Sequence, residues 1–242
     1  MRKILFLLLA LVLSASSVMA QGNTVNESFS KAKKALREIY AGHRLSVYCA
    51  APFVEHLNVI APEGFDPGKF TKRAAKIEWE HAVPAENFGQ AFPEWRTGLP
   101  QCEDNRGKRF KGRKCAEKMN KTYRRMQSDM HNLFPAIGSV NAARSNYRYA
   151  ELPKELASSF GSCPAKIEDK RFEPPDRAKG IVARASMYMD DSYPLFRLSD
   201  QQKKLFLAWD SMYPPDEWEC ERNLKIMRIQ GNDNPFVTRR CR

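Results

Sequence analysis

The sequence predicts a single α+β domain that is mostly helical and braced by disulfides. Several segments repeat apolar residues three and four positions apart, as amphipathic helices do, whereas only two short runs have the length and composition of strands. All six cysteines follow an N-terminal stretch with the features of an export signal, and disulfides are common in exported chains. No internal repeat or interdomain linker stands out, so residues 21–242 are expected to form one domain.

Residues 1–20 have the parts of a secretory signal peptide. A basic start precedes the apolar run at residues 4–13, and a small-residue stretch ends at Ala20. A membrane anchor is the alternative, but a helix needs about 20 apolar residues to span a bilayer. We therefore expect cleavage before Gln21, a periplasmic or secreted mature protein, and no membrane partner.

The charge balance indicates a polyanionic partner. The chain has 40 basic and 28 acidic residues and a formal net charge of +12. Such an excess favours nucleic acid or another polyanion, although it also suits a merely soluble basic surface. Clustering favours nucleic acid, because a basic loop can follow a phosphate backbone. The clustered residues are Arg106, Lys108, Arg109, Lys111, Arg113 and Lys114.

The first half of the chain is expected to contain two helices and one strand. Residues 28–40 have an apolar face that suits a packing helix. Residues 52–68 are rich in proline and glycine and predict a connection, and residues 77–81 are short and aromatic enough for a strand. Residues 116–130 predict a helix whose core-facing side carries Met119, Tyr123, Met126 and Met130.

The next segment is expected to complete a strand, excursion, strand and helix, which is the ββα layout. Residues 131–134 suit a second strand, residues 135–138 a turn, and Ser139 the N-cap of a helix running to about Tyr147.

Three further helices are expected near the C-terminus. The first covers residues 176–189. Ser199 caps the second, with Gln202 in the capping-box position, and Gly231 is a natural C-cap for the third at residues 216–230. The buried side of the second is expected to carry Leu205, Ala208, Trp209 and Met212.

Disulfides are the expected state of the six cysteines. The sequence has no Cys-x-x-Cys pair and no Cys/His cluster with zinc spacing, which disfavours structural zinc. Sequence alone leaves the pairing open, but a bond that closes the basic loop would limit its freedom. We favour Cys102 with Cys115, Cys220 with Cys241, and Cys49 with Cys163.

Glu80 and His81 are the first candidates for chemistry. A carboxylate oxygen can bind a hard cation, and an imidazole with a reference pKa of about 6.5 accepts a proton near neutral pH. Alone, such a pair is more often structural. The polar residues placed in the otherwise apolar or small run at residues 130–146 strengthen the hypothesis, because a core would not favour them.

Ordered blocks run through nearly all of the chain after residue 20. They include EWEH at residues 78–81, GRKC at 112–115, residues 126–146, IVARA at 181–185, WECER at 218–222 and QGNDNP at 230–235. Together they resemble the bacterial endonuclease I family of periplasmic and secreted DNases, which has a ββα-metal nuclease site. The resemblance implies a monomeric, Mg²⁺-dependent, sequence-tolerant endonuclease that cuts DNA, and RNA as well, to 5′-phosphate products.

By the same resemblance, His81 is the general base that activates water, and Glu80 and Asn141 are the metal ligands. Mg²⁺ is commonly held by a few protein oxygens with waters and substrate phosphate, and Mn²⁺ or Ca²⁺ are possible substitutes. Arg113 matches the family's phosphate-contacting arginine, and the permanent charge and forked N–H donors of a guanidinium suit that role. Because the preceding loop is longer than in the family, the alternatives are Arg96, Arg106 and Arg109.

The resemblance also assigns supporting residues. His131 and Asn132 are expected to orient the base or brace the loop. Gln127 stands where some relatives carry glutamate, so its side chain can hydrogen-bond near the metal but adds no charge. The alternative function is an exported basic nucleic-acid-binding or uptake protein without catalysis, which would not need a carboxylate such as Glu80 near the backbone it attracts.

Overall fold

The computed structural model describes residues 21–241, so the predicted signal peptide lies outside the described residues. The helices are α1 (Phe29–Ile39), α2 (Ala85–Gly89), α3 (Pro93–Arg96), α4 (Arg113–Met119), α5 (Lys121–Gln127), α6 (Gly138–Arg144), α7 (Asp176–Ser192), α8 (Asp200–Met212), α9 (Glu217–Gln230) and α10 (Pro235–Thr238). The strands are β1 (Ile77–His81), β2 (Leu133–Ile137), β3 (Arg148–Tyr149), β4 (Lys166–Glu168) and β5 (Arg171–Glu173), and short 3₁₀ helices cover Tyr40–Gly42, Gly68–Arg73 and Met130–Asn132. This is the predicted α+β class.

The two strands of the predicted ββα layout form an antiparallel pair, β1 with β2, in which Trp79 lies opposite Pro135. The turn expected at residues 135–138 is wrong, because Pro135 lies inside β2. Its carbonyl oxygen accepts a hydrogen bond from the Val47 N–H at 2.7 Å. The carbonyl and nitrogen of one strand residue face the same edge, so the missing N–H of Pro135 costs the β1 ladder nothing.

Helix α6 follows β2 directly and completes the ββα layout. Gly138 begins it, and a Cβ at that position would lie 2.5 Å from the Arg73 carbonyl oxygen. The lack of a side chain therefore lets α6 approach the 3₁₀ helix at residues 68–73. The predicted Ser139 cap is wrong: no side chain caps α6, and the buried Ser139 hydroxyl has no hydrogen-bond partner among residues 21–241. Helix α6 ends at Arg144, before the expected Tyr147.

The single helix expected at residues 116–130 is two helices, α4 and α5, separated at Asn120. The backbone of Asn120 is extended, and its side chain accepts a hydrogen bond from the Tyr123 N–H at 2.9 Å. An amide that caps a new first turn competes with continuation of the preceding helix. The apolar pattern still marks the core, because Tyr123 and Met126 are fully buried.

The other predicted helices are confirmed, with one correction. Ser28 caps α1, Ser199 caps α8, and Gly231 ends α9 in the left-handed conformation at φ +84°. The expected buried side of α8 is partly wrong, since Met212 is 66% exposed and Ala208 is also exposed. The residues of α8 that are buried are Phe206, Trp209 and Asp210.

A second sheet, which the sequence did not predict, has the order β3, β5, β4. Strand β3 is parallel to β5, and β4 is antiparallel to it. Each strand has two or three residues, too few to show a periodic pattern. None of the helices at residues 21–241 combines the length and apolarity needed to cross a bilayer.

Three disulfides brace the fold, in the pairs favoured from the sequence. Cys49–Cys163 spans 114 residues and ties the segment before β1 to the chain near the second sheet. The other two close shorter loops. They are Cys102–Cys115, which closes the basic loop, and Cys220–Cys241, which ties α9 to the chain beyond α10.

Candidate active site

A cavity of about 630 Å³ is lined by all five residues of β1 and by residues of α1, α2, α4, α6 and the 3₁₀ helix at residues 68–73. Successive side chains of a strand point to opposite faces, so a cavity that touches all five residues lies along the strand's edge. Within residues 21–241, β2 is the one strand that pairs with β1. The Ile77 N–H bonds the Leu57 carbonyl oxygen at 2.8 Å, and the rest of the other edge is left for the cavity. Four predicted site residues line it together: Glu80, His81, Arg113 and Asn141.

Glu80 is 3% exposed, and one of its two carboxylate oxygens contacts a donor among the described residues. Oε1 accepts a hydrogen bond from the Tyr48 hydroxyl at 3.0 Å and pairs with Arg144 Nη1 at 2.9 Å. Oε2 makes no hydrogen bond with the described residues. Burial raises the pKa of Glu80 to about 7, and the charge of Arg144 and the Tyr48 hydrogen bond limit the rise. Oε2 is therefore an oxygen left for a ligand, and a cation bound there would favour the ionised form of Glu80.

The ring of His81 is held in one tautomer. Its Nε2 lies 2.9 Å from the backbone carbonyl oxygen of Gln127. A carbonyl only accepts, so Nε2 carries the proton and Nδ1 is the unprotonated nitrogen. The ring also stacks on Phe29, with centroids 5.2 Å apart. Burial, reinforced by the positive charge of Arg113, lowers the pKa of His81 to about 3, so the imidazole is neutral at physiological pH.

The side-chain amide of Asn141 is also oriented by a hydrogen bond to a group that can only accept. Its Nδ2 donates to Glu78 Oε2 at 2.8 Å, and a carboxylate only accepts, so Oδ1 is the amide atom left for another partner. Glu78 also forms an ion pair with Arg73. Asn141 Oδ1 and Glu80 Oε2 are thus two oxygen donors on one cavity, which is the ligand chemistry that Mg²⁺ prefers.

The protein part of a metal site here would be small. Within residues 21–241 no group of three or more His, Cys, Asp or Glu side chains is placed to hold a metal ion. A carboxylate and an amide fit Mg²⁺, because this ion dehydrates reluctantly and keeps several waters and substrate oxygens. They would fit a structural zinc site poorly, since such a site is closed by four nitrogen or sulfur ligands.

The cavity carries more positive than negative charge. Its acidic lining residues are Glu78, Glu80 and Glu86, and its basic ones are Lys33, Arg37, Arg73, Arg113 and Arg144. Arg113 is exposed at the start of α4, and its guanidinium makes no ion pair or hydrogen bond with the described residues. Of the alternatives, none lines this cavity: Arg96 donates to the Gln90 carbonyl and Arg109 pairs with Glu103.

The predicted supporting residues lie in different places. Asn132 braces the end of β1, because its side chain exchanges hydrogen bonds with the Val83 N–H and carbonyl at 2.7 and 3.0 Å. Gln127 supports His81 through its backbone, while its side-chain amide donates to Glu117 Oε1 at 2.6 Å. His131 does not line the cavity, and its Nε2 instead meets the Asn232 carbonyl oxygen at 2.9 Å.

Two residues that hold Glu80 were missed from the sequence. Arg144 is 1% exposed and donates to the His81 carbonyl at 3.0 Å and the Ala82 carbonyl at 2.6 Å, so it fixes the end of β1 as well as Glu80. Its position three residues after Asn141, on the same helical face, was the available signal. Tyr48 lies 32 residues from Glu80 and gave no local signal.

Comparison with known proteins gives matches along nearly the whole chain. The sequence profile of the family described as Endonuclease I matches residues 30–241. An extracellular deoxyribonuclease of Aeromonas hydrophila is 39% identical over 247 residues, with 99% of each chain covered. A periplasmic deoxyribonuclease of the same organism is 40% identical, covering 89% of this chain and 87% of the relative. Endonuclease-1 of Buchnera aphidicola is 38% identical, covering 89% and 82%.

Proposed function

The chain belongs to the endonuclease I family, and from that premise we propose that it is an exported, Mg²⁺-dependent, sequence-tolerant endonuclease. It hydrolyses phosphodiester bonds of DNA, and of RNA as well, to 5′-phosphate products. The mature protein is a monomer with one nuclease domain at residues 21–242, released to the periplasm or the medium by cleavage before Gln21. The observation that carries the proposal is one cavity that combines an unprotonated histidine nitrogen, two free oxygen donors and unpaired cations.

In this proposal His81 is the general base. Its Nδ1 takes the proton of the attacking water, while the Gln127 carbonyl and the Phe29 ring hold the imidazole in place. Burial keeps the ring neutral, so Nδ1 has a free lone pair for the proton. The same burial and the Arg113 charge oppose the protonated ring, and the negative charge of a bound phosphate would offset that effect. A positioned base typically contributes on the order of 10²–10⁴ in rate.

The residues that would hold a divalent cation are Glu80, through Oε2, and Asn141, through Oδ1. Such a cation, when bound, offsets the negative charge that builds on the phosphate and the leaving oxygen. Arg144 and Tyr48 bond the other oxygen of Glu80 and so fix its orientation. Mg²⁺ is the proposed ion because its preferred ligands are oxygens, with Mn²⁺ or Ca²⁺ as possible substitutes.

Arg113 would bind the phosphate that is attacked. Its permanent charge and forked donors match phosphate oxygens, and it has no competing ion pair among residues 21–241. Contacts with phosphate carry no base information directly, which supports tolerance of sequence. The phosphodiester is common to DNA and RNA, and this shared chemistry supports action on both.

The test is incubation of purified mature protein with supercoiled plasmid in Mg²⁺ or in chelator, with a parallel arm on single-stranded RNA. We expect nicked and linear DNA and shortened RNA in Mg²⁺ and intact substrates in chelator. Retarded but uncut plasmid in Mg²⁺ would instead support the non-catalytic binding protein, and intact RNA beside cut DNA would restrict the substrate to DNA.

A further inference from the structure

One face of α1 forms part of the cavity wall. Phe29, Lys33 and Arg37 follow one another at intervals of four residues, and all three line the cavity. Residues at this spacing share one face of a helix. The α1 face therefore extends from the histidine along the side of the cavity, although its sequence suggested only a packing helix.

The α1 face is linked directly to His81. The Phe29 ring stacks on the imidazole with centroids 5.2 Å apart, and Lys33 Nζ lies 4.7 Å from the centroid of the same ring. An ammonium near an aromatic ring is favourably placed by the cation–π interaction. The position of Lys33 relative to His81 is thus set by one shared aromatic ring.

The charges of this face are uncompensated. Arg73 and Arg144 line the same cavity, but Glu78 and Glu80 pair with them. Lys33 and Arg37, in contrast, form no ion pair with any residue in the described part of the chain. The third acidic lining residue, Glu86, does not pair with them either. Net positive charge in a cleft attracts a polyanion.

The proposed phosphate contact of Arg113 does not account for these two cations, because Arg113 belongs to α4 and α1 is a separate element. We propose that Lys33 and Arg37 form a second phosphate-binding subsite, which holds the nucleic-acid strand at phosphates next to the bond that is cut. This inference rests on the proposed function. The rise along α1 between the two residues is about 6 Å, so they would contact successive parts of the backbone rather than one oxygen.

The salt dependence of DNA binding tests the subsite. Mature protein is titrated in chelator with a fluorescent DNA duplex at a series of KCl concentrations, and the DNA is checked afterwards to be intact. Each phosphate contact contributes about 0.9 to the slope of log K against log salt concentration. We expect Lys33→Ala/Arg37→Ala to lower the magnitude of the slope by about 1.8, and to weaken binding at least about tenfold at low salt.

The matched control is Lys31→Ala/Lys34→Ala. It removes the same charge from the same helix, but these two exposed lysines do not line the cavity. We expect its slope to stay within about 0.5 of the parent value. Alanine is the strongest helix former, so both variants should keep α1, and thermal melting checks this. The conservative variant Lys33→Arg/Arg37→Lys should keep the parent slope.

Equal slope losses in the two double variants would assign the effect to net charge and overturn the subsite, and so would an unchanged slope in Lys33→Ala/Arg37→Ala. A separate plasmid assay in Mg²⁺ distinguishes the two proposals. If the unsubstituted protein fails to nick while only Lys33→Ala/Arg37→Ala loses slope, the nuclease proposal fails, and Lys33 and Arg37 remain phosphate-binding residues of a protein that binds without cutting. If the parent nicks and the slopes are unchanged, only the subsite fails.

Discussion

The described residues 21–241 include two buried acid–histidine pairs, whose surroundings differ in how many hydrogen bonds the acid makes. Glu80 and His81 lie at the end of β1, and Asp129 and His131 lie just before β2. All four side chains are at most 6% exposed. Each histidine also directs Nε2 to a backbone carbonyl oxygen at 2.9 Å. Burial and histidine geometry therefore do not separate the pairs.

Unused hydrogen-bonding capacity does separate them. Both oxygens of Asp129 are occupied, and the donors are Asn23 N, His131 N, Gln230 Nε2 and the Tyr188 and Tyr193 hydroxyls. Glu80 uses only Oε1 and leaves Oε2 at the cavity. A fully bonded buried acid stabilises a fold, whereas one with a free oxygen at a cavity can bind a ligand. Between these two acids, an unused oxygen, and not burial, is what distinguishes the proposed cation ligand.

The largest expected difference is between the two histidines. His81→Ala should lower the cleavage rate by about 10²–10⁴, because the general base is lost, and should leave DNA binding nearly unchanged. His131→Ala should keep the cleavage rate per folded molecule, since His131 does not line the cavity. Initial rates of plasmid nicking, normalised to folded protein, measure both. Near-parent nicking by folded His81→Ala would remove the general-base assignment.

The next comparison concerns stability. Asp129→Ala leaves several buried donors without a partner, and each such loss costs about 1–3 kcal/mol, so we expect the free energy of unfolding to fall by about 3 kcal/mol or more. Urea unfolding followed by circular dichroism measures the change. A loss below about 1 kcal/mol would show that the Asp129 network is not a main stabiliser.

Cation dependence should separate the two acids by a smaller factor. Glu80→Gln keeps the side-chain shape but removes its negative charge, so the Mg²⁺ concentration for half-maximal cleavage should rise about tenfold. Asn141→Ala should act in the same direction. Asp129→Asn should leave the midpoint unchanged, because Asp129 has no contact with the cavity. Titration of initial rates with Mg²⁺ gives the midpoints, and equal midpoints in all variants would exclude Glu80 and Asn141 as ligands.

The smallest effect is expected at the aromatic neighbours. Phe29 stacks on His81, and Tyr188 packs edge-on against His131. Phe29→Leu should lower kcat several-fold with little change in KM, because a less restrained base is less often oriented for attack. Tyr188→Phe should reduce stability by about 1 kcal/mol and leave kcat unchanged. Steady-state kinetics on a labelled duplex measures kcat and KM for both variants. A rise in KM alone for Phe29→Leu would show that Phe29 contributes to substrate binding and not to the orientation of His81.

The sequence predicted the centre of the site better than its walls. Glu80, His81 and Asn141 line one cavity because the ββα layout brings β1 and α6 together, and Arg113 joins them from α4, which lies outside that layout. The family resemblance of short blocks along the chain had indicated all four residues. The α1 face was missed as part of the cavity wall, since the apolar pattern of a helix shows which side is buried but not which of its other residues meet a cavity.

The local errors have physical causes as well. Pro135 suggested a turn, but a proline on the outer edge of a two-stranded sheet loses no ladder bond. Asn120 was not recognised as a break, because its capping role depends on the helix that follows it. Arg144 lies in the block at residues 126–146 but had no predicted partner, because its contact with Glu80 joins residues 64 positions apart only after folding.

The disulfides make the durability of this nuclease depend on the redox state of its surroundings. A disulfide typically contributes about 2–4 kcal/mol to the free energy of unfolding. Three disulfides together are therefore comparable to the net stability of a whole domain, which is about 5–15 kcal/mol. A reducing cytoplasm opposes such bonds, whereas the periplasm and the medium allow them. The chain would thus be least stable beside the chromosome of the cell that makes it, and most stable outside the cytoplasm.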